Sequence, residues 1–136
     1  MQKKKLVVIV DNSFPLGIIA NTTAVIGMSL GAKYPNLIGE SVMDASGFSH
    51  EGVVEIPIPI LQGDKNKIFE IFNKAIHTEE LSVIGFTTLG QKCKNYSEYV
   101  EKLSFEESEV LEYIGIGIAG DAKSINKLTG SLPLYR

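Results

Sequence analysis

Tyr113-Ile114-Gly115-Ile116-Gly117-Ile118, running on through Gly120 and Asp121 to Arg136, is the stretch that decides the fold. Side chains alternate across a strand, so the isoleucines fall on one face and the glycines on the other. Glycine inside a strand gives up side-chain packing, and two at this spacing imply that another backbone or a ligand approaches that face closely. Gly120 and Asp121 then open a helix in which Ala122, Ile125 and Leu128 turn inward, and Gly130 supplies the stop.

Working outward from this segment, Leu81 to Phe86 reads as a short strand, and Asn95 to Leu103 as a helix with Tyr96, Tyr99, Val100 and Leu103 on one side. Gly63 and Asp64 open a helix reaching about His77, with Asp64 as cap and Ile68, Ile71, Phe72 and Ala75 on its inner face. Leu37 to Met43 and Val53 to Ile58 are expected strands, separated by the turn-prone Asp44-Ala45-Ser46-Gly47. Pro57 and Pro59 lack the amide proton of a central ladder, so the second run ends there or follows an edge. Leu6 to Val10 is a continuous apolar run, as in a strand covered on both faces. From Pro15 to about Leu30 the residues Leu16, Ile19, Ala20, Thr23, Gly27 and Leu30 repeat at helical spacing, with Gly31 as the expected stop. Ile18, Val25 and Met28 leave this helix almost no polar face. It is either buried on two sides or exposes an apolar strip to another subunit.

A chain of 136 residues, 44% apolar, can fill one core without disulfides or metal, and residues 1–136 read as a single domain. The lone Cys93 forms no internal bridge and fits a reducing cytoplasm. After Lys3, Lys4 and Lys5 the apolar run breaks at Asp11, too soon for a signal core. Asn12 to Ala32 is about as long as a bilayer span, but Asn21, Thr22, Thr23 and Ser29 make it too polar for one. The net charge is −3, with twelve lysines and one arginine. Glu98, Glu101, Glu106, Glu107, Glu109 and Glu112 against Lys102 alone form a face that repels a phosphate backbone, which argues against nucleic acid as a partner.

With these residues in view the chain resembles the type II peptidyl-tRNA hydrolase superfamily, and more closely an uncharacterised bacterial branch of it, a domain of unknown function. The resemblance rests on Ile114 to Gly117 with Ile125-Asn126-Lys127-Leu128-Thr129-Gly130-Ser131-Leu132, and on Val53 to Ile58, the helix after Gly63 and the strand Leu81 to Phe86. The first strand and Gly17 complete it. It implies a three-layer α/β fold, a mixed, mostly parallel four-stranded sheet flanked by helices, and it covers most of the chain apart from an expected extra β-hairpin arm near Leu37 to Gly52 and the helix near Asn95 to Leu103. It also implies where activity would sit. Aligned on Gly17, the hydrolases' two lysine positions hold Ile18 and Ala20, their glutamine position Ala24 and their histidine position Gly27, and the aspartate position holds Thr88. The frame is retained and the working groups are absent.

Other residues are candidates in their place. Asn21, Thr22 and Thr23 form a polar trio beside the glycine face of Gly115 and Gly117, where a ligand could be oriented. Their alternative role is to bond the preceding helical turn. Lys127 and Thr129, with Lys123, offer an anion contact near the last helix. Asp44 and His50, with Ser46 and Ser49 nearby, contain the ingredients of nucleophilic catalysis or of a polar hairpin turn. His77 suits a helix end, and two histidines so far apart make no metal site. Cys93 between Lys92 and Lys94 has the setting of a reactive thiol. The expectation is a homodimer or other homo-oligomer, associating through the apolar helix and binding a small molecule or a partner, with no cofactor. The rival expectation is a peptidyl-tRNA hydrolase or related esterase with a rearranged site.

Overall fold

The computed structural model describes residues 3–136; residues 1 and 2, which the single-domain span includes, lie outside the described residues. Strand β1 (Lys4–Asp11) leads into helix α1 (Leu16–Lys33), a hairpin of β2 (Val42–Met43) and β3 (Ser49–His50), and strand β4 (Ile60–Gly63). Then come α2 (Lys65–Ile76), β5 (Leu81–Thr87), α3 (Thr88–Lys92), α4 (Tyr96–Leu103), β6 (Tyr113–Asp121) and α5 (Ala122–Thr129). The main sheet has the order β4-β1-β6-β5.

β1 pairs parallel with β4, and β6 pairs antiparallel with both β1 and β5. The sheet is therefore mixed with one parallel ladder, which corrects the mostly parallel expectation. Three strands do run the same way, but β6 lies between two of them in the opposite sense. The β5 to β6 connection closes on itself, Thr88 N donating to Glu112 O at 2.9 Å, so β6 enters from the end that β5 leaves.

The alternation of β6 divides the core. Ile116 and Ile118 pack with Val7, Ile9, Leu61, α2 residues Ile68, Ile71 and Ala75, and Ile125 of α5. On the other face Leu6, Val8, Val10 and Ala119 meet Ile19, Ile26 and Leu30 of α1. The glycine face is approached by α1 itself. A Cβ at Gly117 would collide with Ile26, and one at Gly115 would sit 2.9 Å from Thr22 Cγ2 and 3.1 Å from the Ile9 carbonyl oxygen.

Four sequence expectations shift. α1 runs past Gly31 to Lys33 and ends before Pro35, since the residue preceding a proline is disfavoured in helix. Its buried residues are Ile19, Thr22, Ile26 and Leu30, so Leu16, Ala20 and Thr23 do not lie on the buried face. By length and composition α1 could cross a membrane, but here those four residues seat it on the sheet. The segment Val53 to Ile58 bends at Glu55 and Ile56 and does not join the main sheet: Val54 makes one bridge with Ile38, and ladder pairing starts after Pro59, whose carbonyl accepts from Val8 N. Of Leu37 to Met43 only Val42–Met43 is strand, in the expected hairpin arm. The Asp64 cap is as read, and the last helix opens where expected, with Asp121 as its cap. Asp64 accepts from Lys67 N at 2.7 Å, and Asp121 accepts from Ser124 N at 3.1 Å.

Replacing Gly117 with valine, a better strand former, is expected to lower unfolding free energy by about 1–3 kcal/mol because α1 must move out. Gly27→Ala, where nothing lies within 4 Å of the new methyl, is expected to raise it by roughly 0.5–1 kcal/mol. Urea unfolding of both variants checks the contrast.

Candidate functional site

A helix about 10 Å across covers roughly two strands spaced about 4.8 Å apart. α1 therefore cannot close its face of a four-stranded sheet alone. Toward β4 the gap is filled by Leu37, Val54, Ile56, Ile58 and Tyr135, while Tyr34, just past the end of α1, reaches the other way, its hydroxyl donating to Ser82 Oγ of β5 at 2.7 Å. Past Ser82 the β5 side is left to α3 and α4, and a groove of about 400 Å³ remains. Its walls are Val25 and Ser29 of α1 and Tyr96 and Tyr99 of α4, over Ile84 and Phe86 of β5.

Local chemistry fixes these walls. Thr87 caps α3, its Oγ1 accepting from Gly90 N at 3.1 Å, and Asn95 Oδ1 caps α4 by accepting from Glu98 N at 2.8 Å. Gly90 keeps the rings close, since a Cβ there would lie 3.3 Å from both Phe86 and Tyr99. The Tyr96 and Tyr99 rings are 5.7 Å apart and tilted. Ser29 Oγ donates to Val25 O at 2.9 Å. On α4 the Lys102 ammonium lies 3.0 Å from Glu98 and holds that carboxyl below its ordinary value, reinforced by the Lys94 amide. Burial, then the neighbouring Tyr99 phenol, pushes the Tyr113 hydroxyl above its usual range. The free thiol of Cys93 is half-buried on the groove wall.

Of the residues singled out from sequence, Cys93 and its neighbour Lys94 line this groove, and the other candidates do not. Thr22 is buried and donates to Ile18 O at 2.8 Å, Thr23 donates to Ala20 O at 2.8 Å, and Asn21 is exposed. Both hydroxyls thus serve the helix. The space expected between α1 and the glycines Gly115 and Gly117 is filled by α1, because bare glycine lets the helix settle into contact. Thr129 is buried and donates to Ile125 O at 2.9 Å, while Lys127 is exposed. His77 Nδ1 lies 2.7 Å from Asn73 O at the end of α2. Among the described residues no three His, Cys, Asp or Glu side chains are grouped to hold a metal ion.

Asp44 and His50 do meet, with Nε2 to Oδ2 at 2.9 Å, on the exposed hairpin arm. The other carboxylate oxygen accepts from Ser46 N at 2.9 Å and Phe48 N at 3.0 Å, and the Phe48 ring packs edge-on against His50. No serine hydroxyl among the described residues hydrogen-bonds to His50. The pair closes the turn. What sequence reasoning missed was the groove, whose one local signal was the apolar side of α4 with nothing assigned to cover it.

Fold and geometry together define a single-domain α/β protein with a mixed four-stranded sheet and an aromatic-walled groove at one sheet edge. Residues 4–136 match the family described as protein of unknown function (DUF2000), and the chain belongs to that family. It is also similar to the solved structure of a protein of unknown function, Atu0240, from Agrobacterium tumefaciens strain C58, with a TM-score of 0.90 and 18% identity over 100% of both chains. At that identity the likeness is one of fold. No curated protein matches the chain.

The Asp44 carboxyl is held below its ordinary value of 3.8, first by His50 and then by the Phe48 amide. A depressed carboxyl pKa contributes order that is present above the unfolded value and lost as pH falls through the folded one. The Ser46 and Phe48 amide resonances are therefore expected to shift together with a midpoint below 3.8, as followed by NMR from pH 6 to pH 2. Asp44→Asn should abolish that transition and leave the main sheet unchanged.

Proposed function

We propose that this domain is a binding protein on the type II peptidyl-tRNA hydrolase-like frame, and that its site is the groove between α1, β5 and α4. The observation that carries this reading is the groove's construction. It is concave, walled by Phe86, Tyr96, Tyr99 and Val25, and of a volume suited to a small ligand or one bulky side chain. Lys94 is the one charged residue on its wall, so the ligand class is apolar or aromatic with an anionic group. The positions where the resemblance puts hydrolase chemistry support binding over hydrolysis. Ile18, Ala20, Ala24, Gly27 and Thr88 carry no ionisable group to transfer a proton or contact tRNA phosphates.

The test is a thermal-shift panel of aromatic carboxylates such as benzoate, phenylacetate and phenylpropionate. At about ten times Kd, a binder is expected to raise Tm by roughly 4 °C. Val25→Trp, which fills the groove from the helix, should remove that shift while keeping the far-ultraviolet spectrum. Turnover of peptidyl-tRNA by the pure protein would defeat the binding reading.

A second reading concerns partners. Leu16 is 69% and Met28 82% exposed, on a helix without a charged residue before Lys33. Such a face favours self-association as a homodimer or other homo-oligomer. Light scattering is expected to give more than one chain per particle for the native sequence and one chain for Met28→Glu.

A further inference from the structure

The two edges of the main sheet are treated differently. Along β4 the carboxyl-terminal segment adds itself: Gln62 N donates to Pro133 O at 3.0 Å, Tyr135 N donates to Ile60 O at 2.8 Å, and Leu61 bridges Leu134. Along β5 nothing does so. Among the described residues no segment other than β6 hydrogen-bonds to the backbone of Ser82 to Phe86. Free edges are ordinarily blunted with charge or proline, and β5 has neither, its one irregularity being the bulge at Phe86/Thr87. The groove lies along this edge, and Gly85, which has only backbone to present, helps to line it.

We propose that the groove's ligand is an extended peptide segment of a partner protein, added as a fifth strand to β5, with an apolar side chain seated between Val25, Phe86 and Tyr99. This rests on the groove being the binding site and names what enters it. Main-chain pairing supplies affinity in such complexes and the side-chain pocket supplies selectivity. Charge selects the occupant. Lys94 lines the groove, no carboxylate does, and Lys94 takes part in no ion pair among the described residues. Glu98, the nearest acid on α4, is engaged by Lys102 and by the Lys94 amide. The segment therefore carries an acidic residue or its own terminal carboxylate beside the apolar anchor. A second copy offering its own β5 is disfavoured, because Leu81–Thr87 carries no acidic residue to meet Lys94.

The experiment titrates isotope-labelled protein with acetylated seven-residue peptides. These have alternating threonine and valine, a central leucine, phenylalanine or tyrosine, and a terminal aspartate or lysine. The expected result is slowing of amide exchange by tenfold or more within Ser82 to Phe86, tighter binding of the aspartate peptides, and reversal of that preference in Lys94→Glu. Peptides N-methylated at alternate positions should not bind. Equal binding of the N-methylated peptides, or no peptide binding while aromatic carboxylates still raise Tm, overturns strand addition and leaves the groove reading intact. Protection of β5 that depends on protein concentration without peptide overturns it in favour of a second copy. Failure of both peptides and aromatic acids overturns both readings.

Discussion

The contact of α1 with the bare face of β6 is the constraint on which the rest of the molecule depends. Gly115 and Gly117 bring the helix close enough for Thr22 and Ile26 to touch the strand, while the isoleucines on the reverse face need the broader cover of α2 and α5. One face thus receives two helices and the other receives one. That asymmetry decides where the surface is complete and where it is not. The side toward β4 is filled by the root of the hairpin arm and the end of the chain, and the side toward β5 stays open between α1 and α4.

The fold was legible where local chemistry and tertiary packing make the same demand. The alternation of β6, the cap Asp64, the helix starts at Asn95 and Asp121, and the inner face of α2 each follow from a few neighbouring residues. Legibility failed where local rules leave the answer open. On α1 almost every residue is small or apolar, so no polar face sets the rotation, and only contact with Gly115 and Gly117 selects Ile19, Thr22, Ile26 and Leu30. Val53 to Ile58 has the alternation of a strand, but its prolines push ladder pairing on to Ile60. Strand direction escaped for a related reason: it depends on where the connection from Thr88 to Glu112 closes, which hydrophobic period does not report.

The site was the least legible part. Val25, Phe86, Tyr96 and Tyr99 come from three elements and share no motif, and their common wall exists only because one helix is too narrow for its sheet face. The groups that looked chemical in the sequence were satisfied nearby instead. Thr22, Thr23 and Thr129 return their hydroxyls to the helix, and Asp44 with His50 fastens a turn. Short polar side chains near a free backbone carbonyl or amide tend to be consumed locally.

The placement of β6 in the middle of the sheet also governs how the chain reaches this state. Its ladder with β1 pairs Lys4 with Asp121, and β5 has no strand to join until β6 arrives between them. A contact so distant along the chain carries its full loop-closure cost before any reward, so assembly is slow for a domain of this size. Until that closure, the sheet has just the short β1/β4 pair, and the apolar faces of α1 and β1 lie open together. The geometry that makes the finished core compact is thus also a period of exposure during folding, when the chain is most open to aggregation or to capture by a chaperone.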